Sequence, residues 1–413
     1  MIDLASFHRR LVCRGPSGFF EALLLQFLRP LGWLYGAVGV LRVALYRAGI
    51  FSSYRAPVPV VSVGNLAAGG TGKTPLVDWL VREQLRRGRR VAVVSRGYGG
   101  SVVRGVGVVS VGGGPLLAPE VCGDEPYLLS RRNPEALILV ARRRAEGVRM
   151  AVERFGAELI LLDDGFQHLA VRRDLDLVLL DARCPLGNGR PLPAGLLREF
   201  SSALNRGDLF LLSRCPSPGA LVPPVPGPLM TSRHRLAAEA VALDGGNLPL
   251  AQLRGLRGVA FAGIADPAAF FTDLQQAGLD LTATVAFADH TGYDEVALAR
   301  LGAASAGADY LVTTEKDGVK LLGRKLPLPC YLVPMTLEIE DSSALSAALA
   351  AFTNKEVPVP LSADLVALLA CPQCKGEVAL REDGQALTCD RCRLAFPIRD
   401  RIPVMLIDEA QKF

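Results

Sequence analysis

Short apolar runs alternate with amphipathic segments along most of the chain. Six runs between residues 60 and 212 are nearly continuous in Val, Leu and Ile, which is typical of strands buried on both faces of a parallel sheet. They lie at 60–63, 91–95, 136–141, 158–162, 175–180 and 209–212. Helical spacing of apolar residues over 76–85 and a helical stretch at 142–155 separate some of these runs. The pattern predicts an α/β fold with a parallel sheet covered by helices on both faces.

A second alternation follows a Pro- and Ser-rich stretch at 213–235, which we interpret as a connection. Its predicted strands are 258–262, 281–287 and 309–313, and its predicted helices are 267–277 and 294–306. The run Lys355–Pro360 (KEVPVP) is typical of a linker. We therefore predict four parts: an N-terminal helical segment, a first α/β lobe, a smaller second lobe and a C-terminal module. Their bounds are 1–56, 57–235, 236–355 and 361–413.

The N-terminal segment combines apolar residues with arginines over residues 19–50. Its longest stretch without a charged residue, Pro30–Leu41, is twelve residues long, whereas about 20 apolar residues are needed to span a bilayer. Two interpretations remain open at this point. The helix either lies in a membrane interface, where Arg29, Arg42 and Arg47 meet anionic lipid, or packs on its own domain.

Charge and cysteine content narrow the class of protein. The net charge is +5, and residues 1–56 hold seven arginines against two acidic residues, so the rest of the chain is neutral. A general nucleic-acid-binding surface is therefore not expected. Five of the nine cysteines are scattered, which is not typical of a secreted disulfide framework and favours a reducing compartment.

A glycine-rich loop between a predicted strand and helix favours phosphate binding. In such loops, backbone N–H groups and the helix N-terminus cradle the phosphates. Lys73 would reach the β- and γ-phosphates, and Thr74 would hold Mg²⁺. The alternative is a structural glycine-rich turn. The predicted nucleotide-binding residues are Ala67, Ala68, Gly69, Gly70, Thr71, Gly72, Lys73 and Thr74.

Acidic residues follow other predicted strands. Asp163 and Asp164 come directly after the run 158–162, the arrangement in which a strand-end carboxylate reaches a metal ion. The alternative is a solvated turn. Asp124 precedes a predicted helix, and His290 follows a strand of the second lobe, a position suited to a site between lobes. We interpret His8 and His234 as packing or surface residues.

Two Cys-x-x-Cys pairs near the C-terminus predict a structural zinc site. The pairs are separated by fourteen residues, a spacing typical of zinc knuckles. A redox role is the alternative, although no βαβ unit surrounds the pairs. The predicted ligands are Cys371, Cys374, Cys389 and Cys392.

Seven motifs follow one another along the chain: VGNLAAGGTGKTP (63–75), VSRGYGG (94–100), GDEP (123–126), LLDDGFQH (161–168), GNGRPLPAGLLRE (187–199), FADH (287–290) and TEKD (314–317). In this order they resemble the motifs of the tetraacyldisaccharide 4'-kinases, the lipid A kinases of Gram-negative bacteria. The resemblance covers residues 1–355. That family also lacks the first glycine of the phosphate loop, which is Ala67 here.

The resemblance implies a P-loop kinase that transfers the γ-phosphate of ATP to the 4'-hydroxyl of tetraacyldisaccharide 1-phosphate, giving lipid IVA. It implies a monotopic enzyme on the cytoplasmic face of the inner membrane, which favours the interfacial interpretation of the N-terminal segment. Asp124 and His290 would form the dyad that takes the hydroxyl proton, and Lys73 would act on the phosphates. Asp163 and Asp164 would serve Mg²⁺ and nucleotide. The other motif residues, whose roles stay open, are Glu125, His168, Glu199, Arg96 and Tyr98.

The C-terminal module resembles small zinc-ribbon proteins related to methyltransferase activators, which implies Zn²⁺ and a protein partner. Seven basic residues against eight acidic ones in 361–413 argue against nucleic acid as that partner. An alternative for the whole chain is a membrane-associated, NTP-driven assembly factor with a zinc docking module. Both hypotheses need the phosphate loop, but only the kinase needs Asp124 and His290 to face the γ-phosphate.

Overall fold

The computed structural model describes residues 4–102, 104–215, 223–289, 291–352, 363–381, 386–399 and 402–413. Its helices are α1 (Leu4–Arg14), α2 (Phe19–Arg47), α3 (Lys73–Arg86), α4 (Pro119–Cys122), α5 (Asp124–Arg132), α6 (Arg144–Glu153), α7 (Pro267–Gln276), α8 (Glu295–Ala304), α9 (Glu315–Leu321), α10 (Ser343–Ala350) and α11 (Ala363–Leu368).

The first lobe is built on a sheet of nine strands within the described residues. Seven neighbouring strands are parallel, and an antiparallel strand closes each edge. The strands are β1 (Val60–Asn65), β2 (Val91–Ser95), β3 (Val106–Val111), β4 (Leu137–Ala141), β5 (Leu159–Asp163), β6 (Leu175–Asp181), β7 (Leu209–Ser213), β8 (Leu229–Leu236) and β15 (Met335–Ile339). Their order across the sheet is β15-β8-β7-β6-β1-β5-β2-β4-β3. The six predicted strands are confirmed, and β1 lies at the centre, where parallel strands are apolar on both faces.

Alternate residues of the central strands enter two different cores. Val61 and Val63 pack with apolar side chains of α3, α5 and α10 on one face. Val60 packs with α6 on the other face. The carboxyl ends of β1 and β5 are neighbours, so the phosphate loop and Asp163 meet at one edge of the sheet.

The second lobe carries its own sheet of six strands within the described residues. Four neighbouring strands are parallel, and an antiparallel pair completes one side. The strands are β9 (Glu239–Ala242), β10 (Asn247–Pro249), β11 (Arg257–Ala262), β12 (Asp280–Ala286), β13 (Tyr310–Thr314) and β14 (Cys330–Val333). The helices α7 and α8 pack against separate cores of this lobe. The predicted second α/β unit is thus present.

The second lobe is inserted between two strands of the first sheet, β8 and β15. Residues 229–236 form β8, so the expectation of an irregular connection over 213–235 is wrong for this part; residues 216–222 lie outside the described residues. Strand β15 pairs with β8, and Leu345 and Leu349 of α10 complete the first core. The division into domains at 235 and 355 stays a prediction, but strand pairing places 335–350 with the first lobe.

The N-terminal helices pack on the first lobe. A disulfide joins Cys13 of α1 to Cys184, which runs against the expectation that the scattered cysteines are reduced. Helix α2 has 29 residues and a length of about 43 Å. Among the described residues it is the helix long and apolar enough to cross a membrane, judged by length and composition alone. It therefore runs well beyond the twelve-residue stretch that suggested a short segment.

The C-terminal module is a small antiparallel sheet around four cysteines. Its strands are β16 (Ala379–Leu380), β17 (Ala386–Cys389), β18 (Leu394–Arg399), β19 (Ile402–Pro403) and β20 (Gln411–Lys412). Cys371, Leu387 and Phe396 are fully buried in its core. Such a small core makes a stabilising metal physically reasonable.

Candidate active site

The two lobes enclose a cleft of about 910 Å³. Its walls come from α2, the phosphate loop, the ends of β2 and β5, and the segments 264–265, 314–316 and 333–335. Most of the sequence-predicted residues line it: Gly69, Gly70, Thr71, Gly72, Lys73, Thr74, Arg96, Tyr98, Glu125, Asp163, Asp164, His168 and Glu199.

The phosphate loop connects β1 to α3, as predicted. Gly69 and Gly72 adopt φ values of 115° and 88°, a region that favours glycine. The Asn65 side chain donates to the carbonyl oxygens of Ala67, at 2.6 Å, and Gly69, at 3.3 Å, and so holds the loop in shape. Ala67 and Ala68 pair with the backbone at 196–197 outside the cleft lining, so they anchor the loop.

Lys73 lies at the base of the loop. Its Nζ is 3.2 Å from Asn65 Oδ1 and 3.4 Å from Asp164 Oδ1. Arg198 also contacts Asp164, at 2.9 Å. Burial alone would raise the pKa of Asp164, but Lys73 and Arg198 outweigh it, and the pKa lies below its usual range. Asp164 is therefore an ionised carboxylate that holds two cations.

Asp163 is the less compensated of the two carboxylates. Its Oδ2 accepts a hydrogen bond from Ser95 Oγ at 3.0 Å, whereas its buried Oδ1 has no hydrogen-bond partner among the described residues. Burial first, and Glu125 next, raise the pKa of Asp163 to about 6. An oxygen ligand in this state would be stabilised by a divalent cation, and carboxylate and hydroxyl oxygens are the donors that Mg²⁺ prefers. The residues present therefore fit Mg²⁺.

Neighbouring polar residues shape the rest of this wall. The fully buried Arg144 donates to the Ala141 carbonyl at 2.6 Å, and burial lowers its pKa to about 10. Burial, then Arg144, lowers the pKa of His168 to about 4, so its imidazole is neutral near pH 7. Glu199 forms a two-pronged ion pair with Arg206 at 2.7 and 2.8 Å. The charge of Glu199 is thus already compensated by Arg206.

The opposite wall begins at Gly123, whose φ of 91° starts α5 at Asp124. A Cβ at Gly123 would lie 2.5 Å from the Tyr98 carbonyl oxygen, so α5 begins pressed against the 97–98 turn. Asp124 Oδ2 is 3.4 Å from Lys320 Nζ, and Asp124 borders rather than lines the cleft. His290, its predicted partner, lies outside the described residues.

Sequence reasoning missed the lysines of α9. Lys316 Nζ is 3.1 Å from Asp289 Oδ1 and 4.0 Å from Glu125 Oε1, and Lys320 contacts Asp124. The TEKD motif contained part of the signal, because Lys316 lies within it and Lys320 follows one helical turn later on the same face. All their partners are remote in sequence, and Glu125 and Asp124 come within reach of these lysines only where the two lobes meet.

Sequence reasoning also missed two residues beside the phosphate loop. His234 lines the cleft, and a Cβ at Gly72 would lie 3.0 Å from its ring. Arg214 donates to the Gly70 carbonyl at 2.7 Å and contacts Asp181 at 2.9 Å. The interpretation of His234 as a packing or surface residue stays a prediction, and the structure places its ring against the phosphate loop, in the lining of the cleft.

The four cysteines of the C-terminal module converge. Cys371, Cys374, Cys389 and Cys392 have their sulfur atoms within 4.8 Å of one another, and the Cys374 and Cys389 sulfurs are 3.6 Å apart. Sulfur atoms about 3.8 Å apart are expected around tetrahedral zinc with Zn–S bonds of about 2.3 Å. The residues present therefore fit Zn²⁺.

The family model of tetraacyldisaccharide-1-P 4'-kinase matches residues 24–354. This chain belongs to the tetraacyldisaccharide 4'-kinase family. A second model, that of the Trm112p-like proteins, matches residues 362–400. Both resemblances stated from the motifs are confirmed.

Individual members of the tetraacyldisaccharide 4'-kinase family agree over most of their length. The chain is 56% identical over 345 residues to the tetraacyldisaccharide 4'-kinase of Syntrophotalea carbinolica, covering 84% of this chain and 97% of the relative. The Pelobacter propionicus kinase is 44% identical over 352 residues, which are 84% of this chain and 98% of the relative.

A crystal structure of LpxK from Aquifex aeolicus in complex with ATP has a TM-score of 0.68 and 29% identity. It covers 80% of this chain and 99% of that chain. The predicted α/β fold class is confirmed, and the chain is a kinase.

Proposed function

We propose that this kinase transfers the γ-phosphate of ATP to the 4'-hydroxyl of tetraacyldisaccharide 1-phosphate, giving lipid IVA. The observation that carries the proposal is the convergence of Lys73, Asp163 and Glu125 on one cleft between the lobes, with Asp124 at its border. The family match favours this activity over the alternative of an NTP-driven assembly factor. The carboxylate at the border of the cleft favours it as well, because an assembly factor requires no group that accepts a proton from an acceptor hydroxyl.

Each residue has a role that follows from its charge and place. Phosphoryl transfer depends chiefly on positioning and on neutralising phosphate charge. Lys73 and the loop amides hold the phosphates. Thr74 and Asp163, with Asp164 behind them, would hold Mg²⁺, which supplies further charge neutralisation when bound. Asp124, assisted by His290, accepts the proton of the 4'-hydroxyl, a step that typically contributes 10²–10⁴-fold.

A turnover assay tests this proposal directly. Purified full-length protein is incubated with γ-labelled ATP, Mg²⁺ and tetraacyldisaccharide 1-phosphate, and the lipid product is separated. We expect a labelled bisphosphorylated lipid, formed in proportion to enzyme. ATP hydrolysis without a labelled lipid would overturn the assignment and favour the assembly factor.

We propose that the enzyme lies at the cytoplasmic face of the inner membrane, and helix α2 supports the part of this proposal that concerns a membrane surface. One side of the helix packs closely on the protein at Gly32 and Gly36, where a side chain would not fit. A Cβ at Gly32 would lie 2.9 Å from the Pro191 carbonyl oxygen, and a Cβ at Gly36 would lie 2.6 Å from the Phe200 ring. The other side exposes Phe19, Phe20, Leu23, Phe27, Leu31, Trp33, Leu34, Val38 and Leu41. A helix docked along one side favours lying in the interface over crossing the bilayer.

The same helix also reaches the cleft. Tyr35, Gly39, Arg42 and Val43 line it. A lipid could therefore keep its acyl chains in the bilayer while its sugar enters the cleft. Deleting residues 1–50 should weaken binding to anionic vesicles and raise KM for lipid far more than KM for ATP. Unchanged vesicle binding would show that α2 is only a packed helix.

We propose that the C-terminal module holds one structural Zn²⁺ and docks a protein partner. The combination Cys371→Ser and Cys374→Ser should remove about one zinc per chain, measured by elemental analysis, and leave lipid-kinase turnover unchanged. A chain ending at Lys355 should likewise retain kinase activity. Loss of activity in a soluble, monodisperse 1–355 protein would make the module part of the active enzyme.

A further inference from the structure

Helix α9 of the second lobe directs two lysines at the acceptor side of the cleft. Lys316 and Lys320 are one helical turn apart and therefore share a face. Lys316 contacts Asp289 at 3.1 Å and lies 4.0 Å from Glu125, while Lys320 lies 3.4 Å from Asp124. Asp289 directly precedes His290 in the chain. One short helix thus contacts the proposed proton acceptor and the residue next to its proposed partner.

The ion pair between Lys320 and Asp124 is largely shielded from solvent, which makes its loss costly. The Lys320 side chain is only 9% exposed, and its buried Nζ has no hydrogen-bond partner among the described residues, so its ion pair with Asp124 is its compensation. Removing one partner of a buried pair leaves an uncompensated charge. Conversely, Asp124 and Glu125 are adjacent like charges on α5, and the two lysines offset their repulsion.

Both ends of this contact are fixed in the fold. Thr314 caps α9 by accepting from the backbone N–H of the fully buried Asp317 at 3.2 Å, and Asp317 accepts from the Gly263 N–H at 3.1 Å. Glu315 of α9 forms an ion pair with Arg132 at the end of α5. Helix α9 is thus held by its own lobe at one side and by α5 at the other.

We propose that Lys320 and Lys316 are positioning residues that fix Asp124 and Asp289, so that the proton-accepting side of the cleft is assembled only when α9 of the second lobe packs on α5 of the first. The proposal rests on the proposed role of Asp124. It goes beyond that role because it assigns the second lobe a direct part in the orientation of a carboxylate of the first.

The test compares Lys320→Met with Lys320→Arg and with Lys325→Met, an exposed lysine of the same lobe. Lys320→Met should lower kcat for lipid phosphorylation by roughly tenfold to 100-fold, as expected for a misplaced catalytic group, and change KM for ATP less than twofold. Lys320→Arg should retain most of the kcat that Lys320→Met loses, and Lys325→Met should have the kcat of the unmodified protein. Thermal unfolding of each variant verifies the fold.

A second background separates positioning from structural damage. If Lys320 acts through Asp124, Lys320→Met should cost little more once Asp124→Asn is present. Equal losses in both backgrounds, or a loss no greater than that of Lys325→Met, would overturn the proposal. Normal activity of Asp124→Asn itself would instead overturn the assignment of Asp124 in the proposed function.

Lys316 gives an independent arm if Lys320→Met unfolds. Its side chain is 19% exposed, so Lys316→Met should fold. We expect a smaller loss of kcat, about fivefold to tenfold, with KM for ATP again preserved. Unchanged kcat in folded Lys316→Met would exclude its part in the positioning.

Discussion

The two walls of the cleft are built in different ways. The phosphate wall comes from one stretch, 65–74, and the end of the neighbouring strand β5, and its parts lie together because adjacent parallel strands end at one edge. The acceptor wall joins α5 of the first lobe to α9 of the second through pairs such as Arg132–Glu315 and Asp124–Lys320. A contiguous motif specifies the first wall, whereas the second depends on how the lobes pack.

The phosphate wall should show the largest single effect. Lys73→Ala should lower turnover by about 10³-fold or more, because the other cations beside the loop, Arg198 and Arg214, are already paired with Asp164 and Asp181. The side chain meets Asn65 and Asp164 rather than the apolar core, so the melting temperature should stay within a few degrees of the parent. Turnover near that of the parent protein in folded Lys73→Ala would refute the nucleotide site.

The acceptor wall should respond as a unit. Asp124→Ala and His290→Ala should each lower kcat by roughly 10²-fold, and the double variant should be little worse than the more impaired single variant. The reason is that two groups sharing one proton transfer lose the same step. The measurement is kcat with lipid at saturating ATP. Losses that multiply strictly would argue against a dyad.

The contact between lobes can also be weakened at Arg132, which itself lines the cleft. Arg132 is 13% exposed and pairs with Asp78 and Glu315, and burial lowers its pKa. Arg132→Met should lower kcat about tenfold and destabilise the protein by about 2–3 kcal/mol, because the half-buried Glu315 loses its ion pair with Arg132 and the buried Asp78 is left with Arg82 and Asn133. The neighbouring exposed Arg131 supplies the matched control, Arg131→Met. Equal behaviour of the two variants would show that α5 does not depend on α9.

The smallest effect concerns stability in acid. Burial, then Arg214, lowers the pKa of His234 to about 4, against an ordinary value of 6.5. Between these pH values the unfolded chain binds a proton that the folded chain does not, so stability falls as pH falls. From pH 7 to pH 5, His234→Gln should lose roughly 2 kcal/mol less stability than the parent in urea unfolding. Identical losses would contradict the burial of a neutral imidazole.

Local pattern sufficed where neighbours in sequence are neighbours in space. The run 60–63, the loop to Thr74 and the strand end at Asp163 follow from apolar continuity and glycine placement, and the structure has each of them. Pattern failed where a partner is remote. Strand β15 is short and half-buried, and its pairing with β8 cannot be deduced from either segment alone. The same holds for Lys320, since nothing near it in sequence indicates Asp124.

The nested position of the second lobe has a consequence for synthesis. The strands of its sheet, β9 to β14, are contiguous in the chain, whereas the sheet of the first lobe waits for β15 and its core for Leu345 and Leu349. As the chain leaves the ribosome, the lobe that starts later is therefore the first to have all its strands. Until β15 arrives, β8 presents an unpaired edge, the kind of surface that invites association between nascent chains.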